Sequence, residues 1–331
     1  MLRRMVLLLP AVRRLHEARN AVMAERDDLA AQREVLLAQR DTLLAERDAM
    51  LADVAEIRSA RAQHRVIVTE YGYHPRRRPI EEAAGGLKLI ARLRAEEDRY
   101  AAVLQAVMRH MDALAGIPFS ETDPERPFWS NDWFPPWDGA TLYGLIAERA
   151  PQRFIEVGSG NSTRFARQAI RDFRLRTRIV SVDPHPHTSI AGLCDETLPS
   201  RMEDMPRDFW EGIGPDDMLF LDNSHRSFQN SDVTVFFSEV LPALRSGTVW
   251  GLHDIFLPMD YPDYWKDRFY NEQYLLLAYL LGGGVEDDIL LPVAWSSSNP
   301  RLRGIMEPLW AHDDELRGWW AHGGCFWMQR R

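Results

Sequence analysis

Cysteine is scarce in this sequence: Cys194 and Cys325 are the only two in 331 residues. Two thiols make neither a disulfide framework nor a cysteine-rich zinc site, and they fit a reducing compartment, so the expected location is cytoplasmic. Long apolar runs are lacking as well. No stretch reaches the ~18 residues that a membrane helix needs. The short apolar run at residues 5–9 is cut by Pro10 and followed by Arg13 and Arg14; a signal-peptide core needs roughly 7–15 residues. Positive charge is in deficit, with 40 Lys and Arg against 49 Asp and Glu and a formal charge of -9. Affinity for phosphate backbones is built from an excess of Lys and Arg, so no nucleic-acid partner is expected. With 45% apolar residues the chain is neither disordered nor fibrous, and its length allows one large domain or two modest ones.

What the sequence does have is a repeat. Leu15, Val22, Leu29, Leu36, Leu43, Met50 and Ile57 recur every seven positions. So do Arg19, Arg26, Arg33, Arg40 and Arg47, and the alanines from Ala24 to Ala52. Gly and Pro are absent here, and Ala, Leu, Glu, Gln and Arg favour helix. The pattern predicts one long helix over residues 1–60. A seven-residue apolar period implies left-handed supercoiling with a partner helix. The companion seam of Ala18, Glu25, Gln32, Gln39, Glu46 and Asp53 is largely polar. Two readings therefore stand: a coiled-coil stalk serving a homo-oligomer or a partner protein, or a single solvated helix laced with ion pairs.

Residues 61–117 read as a linker followed by a helical segment. Arg65, Val66, Ile67, Val68 and Thr69 have strand character. Arg76, Arg77 and Arg78 form either a solvated loop or an anion contact. Tyr100, Leu104, Val107, Met111 and Leu114 fall at three- and four-residue steps within a helix predicted over 87–114. A proline-rich stretch then carries Phe128, Trp129, Trp133, Phe134 and Trp137. It either packs down as core or lines a pocket in which the indoles stack on a sugar.

From residue 118 to 331 we expect one α/β domain. Apolar β runs at 153–157, 178–182, 218–221, 248–252, 289–295 and 325–328 alternate with helices at 161–173, 229–244 and 271–281. Such alternation argues for a doubly wound, mainly parallel sheet. Its first strand runs into Glu156, Val157, Gly158, Ser159, Gly160, Asn161, Ser162 and Thr163, a glycine turn that opens a helix and lets the backbone approach a ligand. Thr163 stands where a dinucleotide fingerprint has its third glycine, which counts against NAD. Asp183 ends the next strand, where a carboxylate accepts ribose hydroxyls. Asp222 and His225 follow a third strand end, and His253 and Asp254 a fourth. Ligands of parallel sheets bind beyond these ends, so the four are expected to share one crevice.

The segments Glu156–Thr163, Val182-Asp183-Pro184, Asp222-Asn223-Ser224-His225 and His253-Asp254 together resemble the class I methyltransferases that use S-adenosylmethionine. More narrowly, they are similar to the bacterial branch that includes O-methyltransferases acting on sugar hydroxyls. The resemblance covers residues 118–331 and implies a seven-stranded Rossmann-like sheet whose last, antiparallel strand holds Cys325 to Met328. It implies that Glu156, the turn Gly158, Ser159, Gly160 and the following Asn161 and Ser162 hold the methionine part of the cofactor. Asp183 would then hold the ribose, and Glu203 or Asp204 the adenine end. It further implies a magnesium ion on Asp222 and Asp254, with His225 as general base. His253 joins the metal set where some relatives have a carboxylate; imidazole suits softer metals.

Methyl transfer is an in-line displacement at an activated carbon, so the protein chiefly aligns and deprotonates. Alignment alone can supply ~7–11 kcal/mol. A sugar hydroxyl must lose its proton, a task for an imidazole with a reference pKa of about 6.5. The expected substrate is a hydroxyl of a glycan or glycosylated metabolite. The alternatives are a non-catalytic cofactor-binding scaffold recruited through the coiled coil, and an NAD-dependent oxidoreductase.

Overall fold

The computed structural model describes residues 10–63, 65–282, 287–317 and 322–331; the apolar run at residues 5–9 lies outside them. The chain divides once, into the compact units Met1–His74 and Pro75–Arg331.

In the first unit, helix α1 spans Pro10–Ala62 and buries no residue. Every member of the apolar heptad series, from Leu15 to Ile57, is more than half exposed. Arg26, Arg40 and Arg47 each pair with the next residue, Asp27, Asp41 and Asp48. Such solvated pairs contribute little individually. Residues 65–69, expected as a strand, are irregular. A lone extended segment has no neighbouring edge with which to share hydrogen bonds.

The second unit is built on seven strands: β1 Arg153–Val157, β2 Arg178–Val182, β3 Glu196–Leu198, β4 Asp217–Leu221, β5 Val249–Leu252, β6 Asp288–Pro292 and β7 Phe326–Gln329. Their order is β3-β2-β1-β4-β5-β7-β6. All pairings from β3 to β5 are parallel, and β7 runs antiparallel to both β5 and β6. The central strands are apolar because both faces are covered: β4 is buried throughout, and β1 and β2 are buried beyond their first residue. Residues 293–295, expected to prolong β6, instead begin the helical turn Val293–Ser298. Pro292 has no N–H to offer the ladder, and it ends the strand.

The longer helices of this unit are α2 Ala84–Ala95, α3 Glu97–Met108, α4 Pro136–Arg149, α5 Asn161–Asp172, α6 over residues 232–243, α7 Glu272–Leu281 and α8 Pro300–Ala311. Helix α6 contains a π-turn at Phe236–Val240. The single helix expected over 87–114 is α2, α3 and a short turn at Met111–Ala115, broken at Glu96 and again after Met108. Leu89, Leu93, Tyr100, Leu104, Val107 and Leu114 all enter the core of this unit. The aromatic stretch packs down too: Trp129, Phe134 and Trp137 are buried, while Trp133 is 72% exposed. Trp129 and Trp137 each meet Trp310 with ring centres 5.9 Å apart. Those two indoles are therefore core residues. The chain winds outward from β1 to one edge and resumes at β4 toward the other, so a crevice opens between the carboxyl ends of β1 and β4.

Candidate active site

The first wall of the crevice is the turn after β1. Gly158 has φ +80, and a Cβ there would lie 2.1 Å from the carbonyl oxygen of Asp222. Only glycine fits so close to the end of β4. Gly160 differs: its backbone is extended, and nothing lies within 4 Å of the place a Cβ would take. Of the two glycines, one is required by the close approach of β4 and the other borders open space.

The turn is tied on both sides. The amide and hydroxyl of Ser159 donate to Asp183 Oδ2 at 3.0 and 2.7 Å, and the amide of His185 donates to Oδ1 at 2.8 Å. Behind it lies Glu156, fully buried at the end of β1. The Ser162 hydroxyl donates to Glu156 Oε2 at 3.0 Å and the Thr163 hydroxyl to Oε1 at 2.5 Å. Thr163 in turn accepts the amide of Gly160 at 3.0 Å. Burial pushes the Glu156 carboxyl up to about 8, against the pull of these two hydroxyls. Asn161 reaches the other way, donating to Asn131 Oδ1 at 3.0 Å, which also accepts the amide of Phe134. The aromatic loop is thereby pinned to the start of α5.

The second wall joins the ends of β4 and β5. Asp222 Oδ1 lies 3.3 Å from His225 Nε2 and 3.2 Å from His253 Nδ1. Asp254 spans the same two rings, with Oδ2 3.5 Å from His225 Nε2 and Oδ1 3.6 Å from His253 Nδ1. Each imidazole has a second, buried carboxylate behind it. Glu272 Oε2 is 3.0 Å from His225 Nδ1, and Asp138 Oδ2 is 3.5 Å from His253 Nε2. Glu272, at the start of α7, also accepts from Asn223, and the amides of Asn271 and Glu272 bond the His225 carbonyl. Asp138, in the first turn of α4, accepts the amides of Gly324 and Cys325. Among the described residues, donor atoms of Asp138, His253 and Cys325 form a buried trio within 4.8 Å of one another.

Electrostatics follows from this alternation. Burial would lower the charge of both imidazoles, but Asp222 and Glu272 lift His225 to about 10, and Asp254 and Asp222 hold His253 well above its ordinary value. Burial would raise Asp222, yet His253 and His225 keep it well below the usual carboxylate range. Burial prevails at Asp254, which is pushed up. His225 and Asp254 both adopt left-handed backbone, φ +56 and +55. Strain of this kind costs about 1–3 kcal/mol per residue and is retained where surrounding contacts fix it.

The structure therefore brings Asp222, His225, His253 and Asp254 together, with Glu156, Ser159, Asn161, Ser162 and Asp183 around the neighbouring turn. Asp204, expected at the adenine end, pairs with Arg201 at 2.7 Å on the turn Met202–Asp204. Sequence reasoning missed Thr163 as a ligand of Glu156, and it missed Asn131, Asp138 and Glu272. The last three stand outside any strand-end motif, and no periodicity marks them.

The family model described as a methyltransferase domain matches residues 155–255. That segment, less than a third of the chain, is similar to a methyltransferase domain. It holds both walls of the crevice apart from Asp138 and Glu272. No curated protein matches the sequence. Among solved structures, the chain is similar to the SAH-bound methyltransferase PaMTH1 of Podospora anserina, at 17% identity over 58% of this chain and 77% of that one, with a TM-score of 0.35. It is similar to the O-methyltransferase TomG of Streptomyces achromogenes in complex with SAM, at 16% identity over 70% and 89%, with a TM-score of 0.27. The third is MycE methyltransferase of the mycinamycin biosynthetic pathway, in complex with Mg, SAH and mycinamycin VI. There the identity is 14% and the TM-score 0.32, and the match spans 56% of this chain but only 47% of MycE.

Two outcomes are expected from the first wall. Gly158→Ala should lower unfolding free energy by about 1–3 kcal/mol, whereas Gly160→Ala should leave the urea transition unchanged. The carboxyl of Glu156 is raised in the folded state, so its contribution is complete below the unfolded value and declines as pH rises toward about 8. Wild-type stability should thus fall relative to Glu156→Gln between pH ~5 and ~8, then level off, as read by urea unfolding at successive pH values.

Proposed function

We propose that the unit Pro75–Arg331 transfers a methyl group from S-adenosylmethionine to a substrate hydroxyl. The observation that carries this is the gathering of four strand ends: a glycine turn with open space at Gly160, a carboxylate at Asp183, and an acid–imidazole cluster beside them. The cofactor supplies an already activated methyl group. The residues fit it, because the space at Gly160 is what a ligand's close approach needs. Gly158, Ser159, Gly160, Asn161 and Ser162 would face its methionine part, with Glu156 setting the turn through Ser162 and Thr163. Asp183 retains acceptor capacity for ribose hydroxyls. We assign Asp204, on the turn after β3, to the adenine end.

His225 is the proposed base. Glu272 fixes the ring through Nδ1, leaving Nε2 on the side of the acid pair. Four carboxylates around two imidazoles leave negative charge in excess, and oxygen donors suit magnesium. Asp222 and Asp254, with His253 Nδ1 beside them, would hold such an ion, which would acidify a bound hydroxyl and offset the carboxylates that keep His225 protonated. Alignment and proton removal are the protein's share of the work. The substrate in this reading is a hydroxyl of a glycan or glycosylated metabolite, and the two free thiols suit the cytoplasm. Among the described residues, no helix is long and apolar enough to cross a membrane.

For α1 we propose pairing with a second copy, because its apolar series lies fully on the surface. Sedimentation equilibrium of the full chain should give a dimer or higher oligomer, and Leu36→Asp with Leu43→Asp should return a monomer. A monomeric wild type would leave α1 as a solvated single helix.

The enzymatic reading is tested by calorimetry and labelled-methyl transfer into a glycan-containing lysate. His225→Ala should lose turnover by at least ~100-fold with S-adenosylmethionine affinity nearly intact, and Asp183→Ala should lose affinity itself. Equal turnover in His225→Ala would remove that imidazole from the mechanism.

A further inference from the structure

The segment between β5 and α7 runs from one cluster residue, Asp254, to another, Glu272. It carries an aromatic group that the methyl-transfer chemistry leaves unused. Tyr270 lies against His225, with ring centres 4.6 Å apart. Trp265 meets Tyr270 edge-on at 5.6 Å, and Tyr261 stacks on Trp265. Two guanidinium groups sit on this aromatic group. Arg226 lies 4.9 Å from the Tyr270 ring centre, and Arg268 lies 5.6 Å from it and 4.1 Å from that of Trp265.

Neither guanidinium has a carboxylate partner among the described residues. Among the described residues, the Arg226 guanidinium donates to the carbonyls of Ser224 and Arg268, and the Arg268 guanidinium lies over the rings of Trp265 and Tyr270. Elsewhere in this unit partly buried arginines are neutralised by carboxylates, among them Arg153 by Asp217 and Arg330 by Asp287. Two cations sharing one aromatic ring repel each other, and stacking does not neutralise them. An anion placed between them relieves that repulsion. Planar, immobilised guanidiniums are also suited to binding phosphate or carboxylate through paired hydrogen bonds.

We propose that Arg226 and Arg268 form an anion subsite for the acceptor, whose substrate class is therefore a hydroxylated molecule bearing a phosphate or a carboxylate. The proposal rests on the methyltransferase reading for the word acceptor, but the subsite stands on its own geometry. The three carboxylates beside His225 repel the anionic group, while the two arginines attract it. The bound molecule is thus oriented with its anion on the Tyr270 side and a hydroxyl toward His225.

The test titrates the full chain, with and without S-adenosylhomocysteine, using glucose 1-phosphate, glucuronate and methyl glucoside as probes. At least one anionic probe should bind tenfold or more tightly than the neutral one. The tighter of the two names the anion. Arg268→Gln should erase that preference, and the exposed control Arg207→Gln should keep it. Added sodium chloride should weaken the anionic probe alone, a readout that does not depend on any variant. Equal binding of all three probes, binding of none, or a preference that survives Arg268→Gln overturns the subsite. An anion preference without S-adenosylhomocysteine binding would leave the subsite standing and count against the methyltransferase reading instead.

Discussion

Two imidazoles and four carboxylates share the carboxyl edge of this sheet, and most of the architecture around them exists to keep that arrangement buried. An unpaired carboxylate in such a place is costly, and a pair broken on one side leaves an uncompensated charge. The chain meets this by alternation. Glu272, His225, Asp222, His253 and Asp138 follow one another in contact, and Asp254 closes across both rings. Four elements contribute: the segments after β4 and β5 supply two members each, and α4 and α7 one each. The cluster therefore ties α4 and α7 to the paired strands β4 and β5.

The backbone bears the cost of that arrangement. His225 and Asp254 are left-handed, a conformation that residues with side chains seldom adopt. At His225 the strain is held by the Asn223 side chain on its amide and by the start of α7 on its carbonyl. A side chain placed this way has few alternative orientations. Preorganisation of that kind is what the base proposed above would need to meet a hydroxyl without rearranging.

Much of this was legible in the chain. Strand ends announce themselves, because an apolar run stopping at Asp183, Asp222 or His253 has no reason to be charged there unless the edge is used. Fold class followed from the alternation of β and helical runs. What stayed hidden was partnership across distance. Asp138 lies in a tryptophan-rich stretch that reads equally as core or as pocket lining, and only the segment leading into β7 gives its carboxylate the amides it accepts. Glu272 opens an ordinary helix. Thr163 looked like a missing glycine, yet its hydroxyl links a buried carboxylate to the turn. The break at Glu96 and the stop at Pro292 depended on neighbours that periodicity cannot see, and residues 65–69 had strand composition without an edge to join.

The placement of β7 has a consequence for the life of the chain on the ribosome. It slots between β5 and β6 although it is made last, and its leading amides complete the surroundings of Asp138. A nascent polypeptide that has already emitted β1 through β6 thus still lacks the central antiparallel piece and one flank of the acid–imidazole cluster. The cluster stays incomplete until residues 324 and 325 have been made, and before then β5 and β6 each keep an unpaired strand edge, the feature that cellular quality control is best placed to notice.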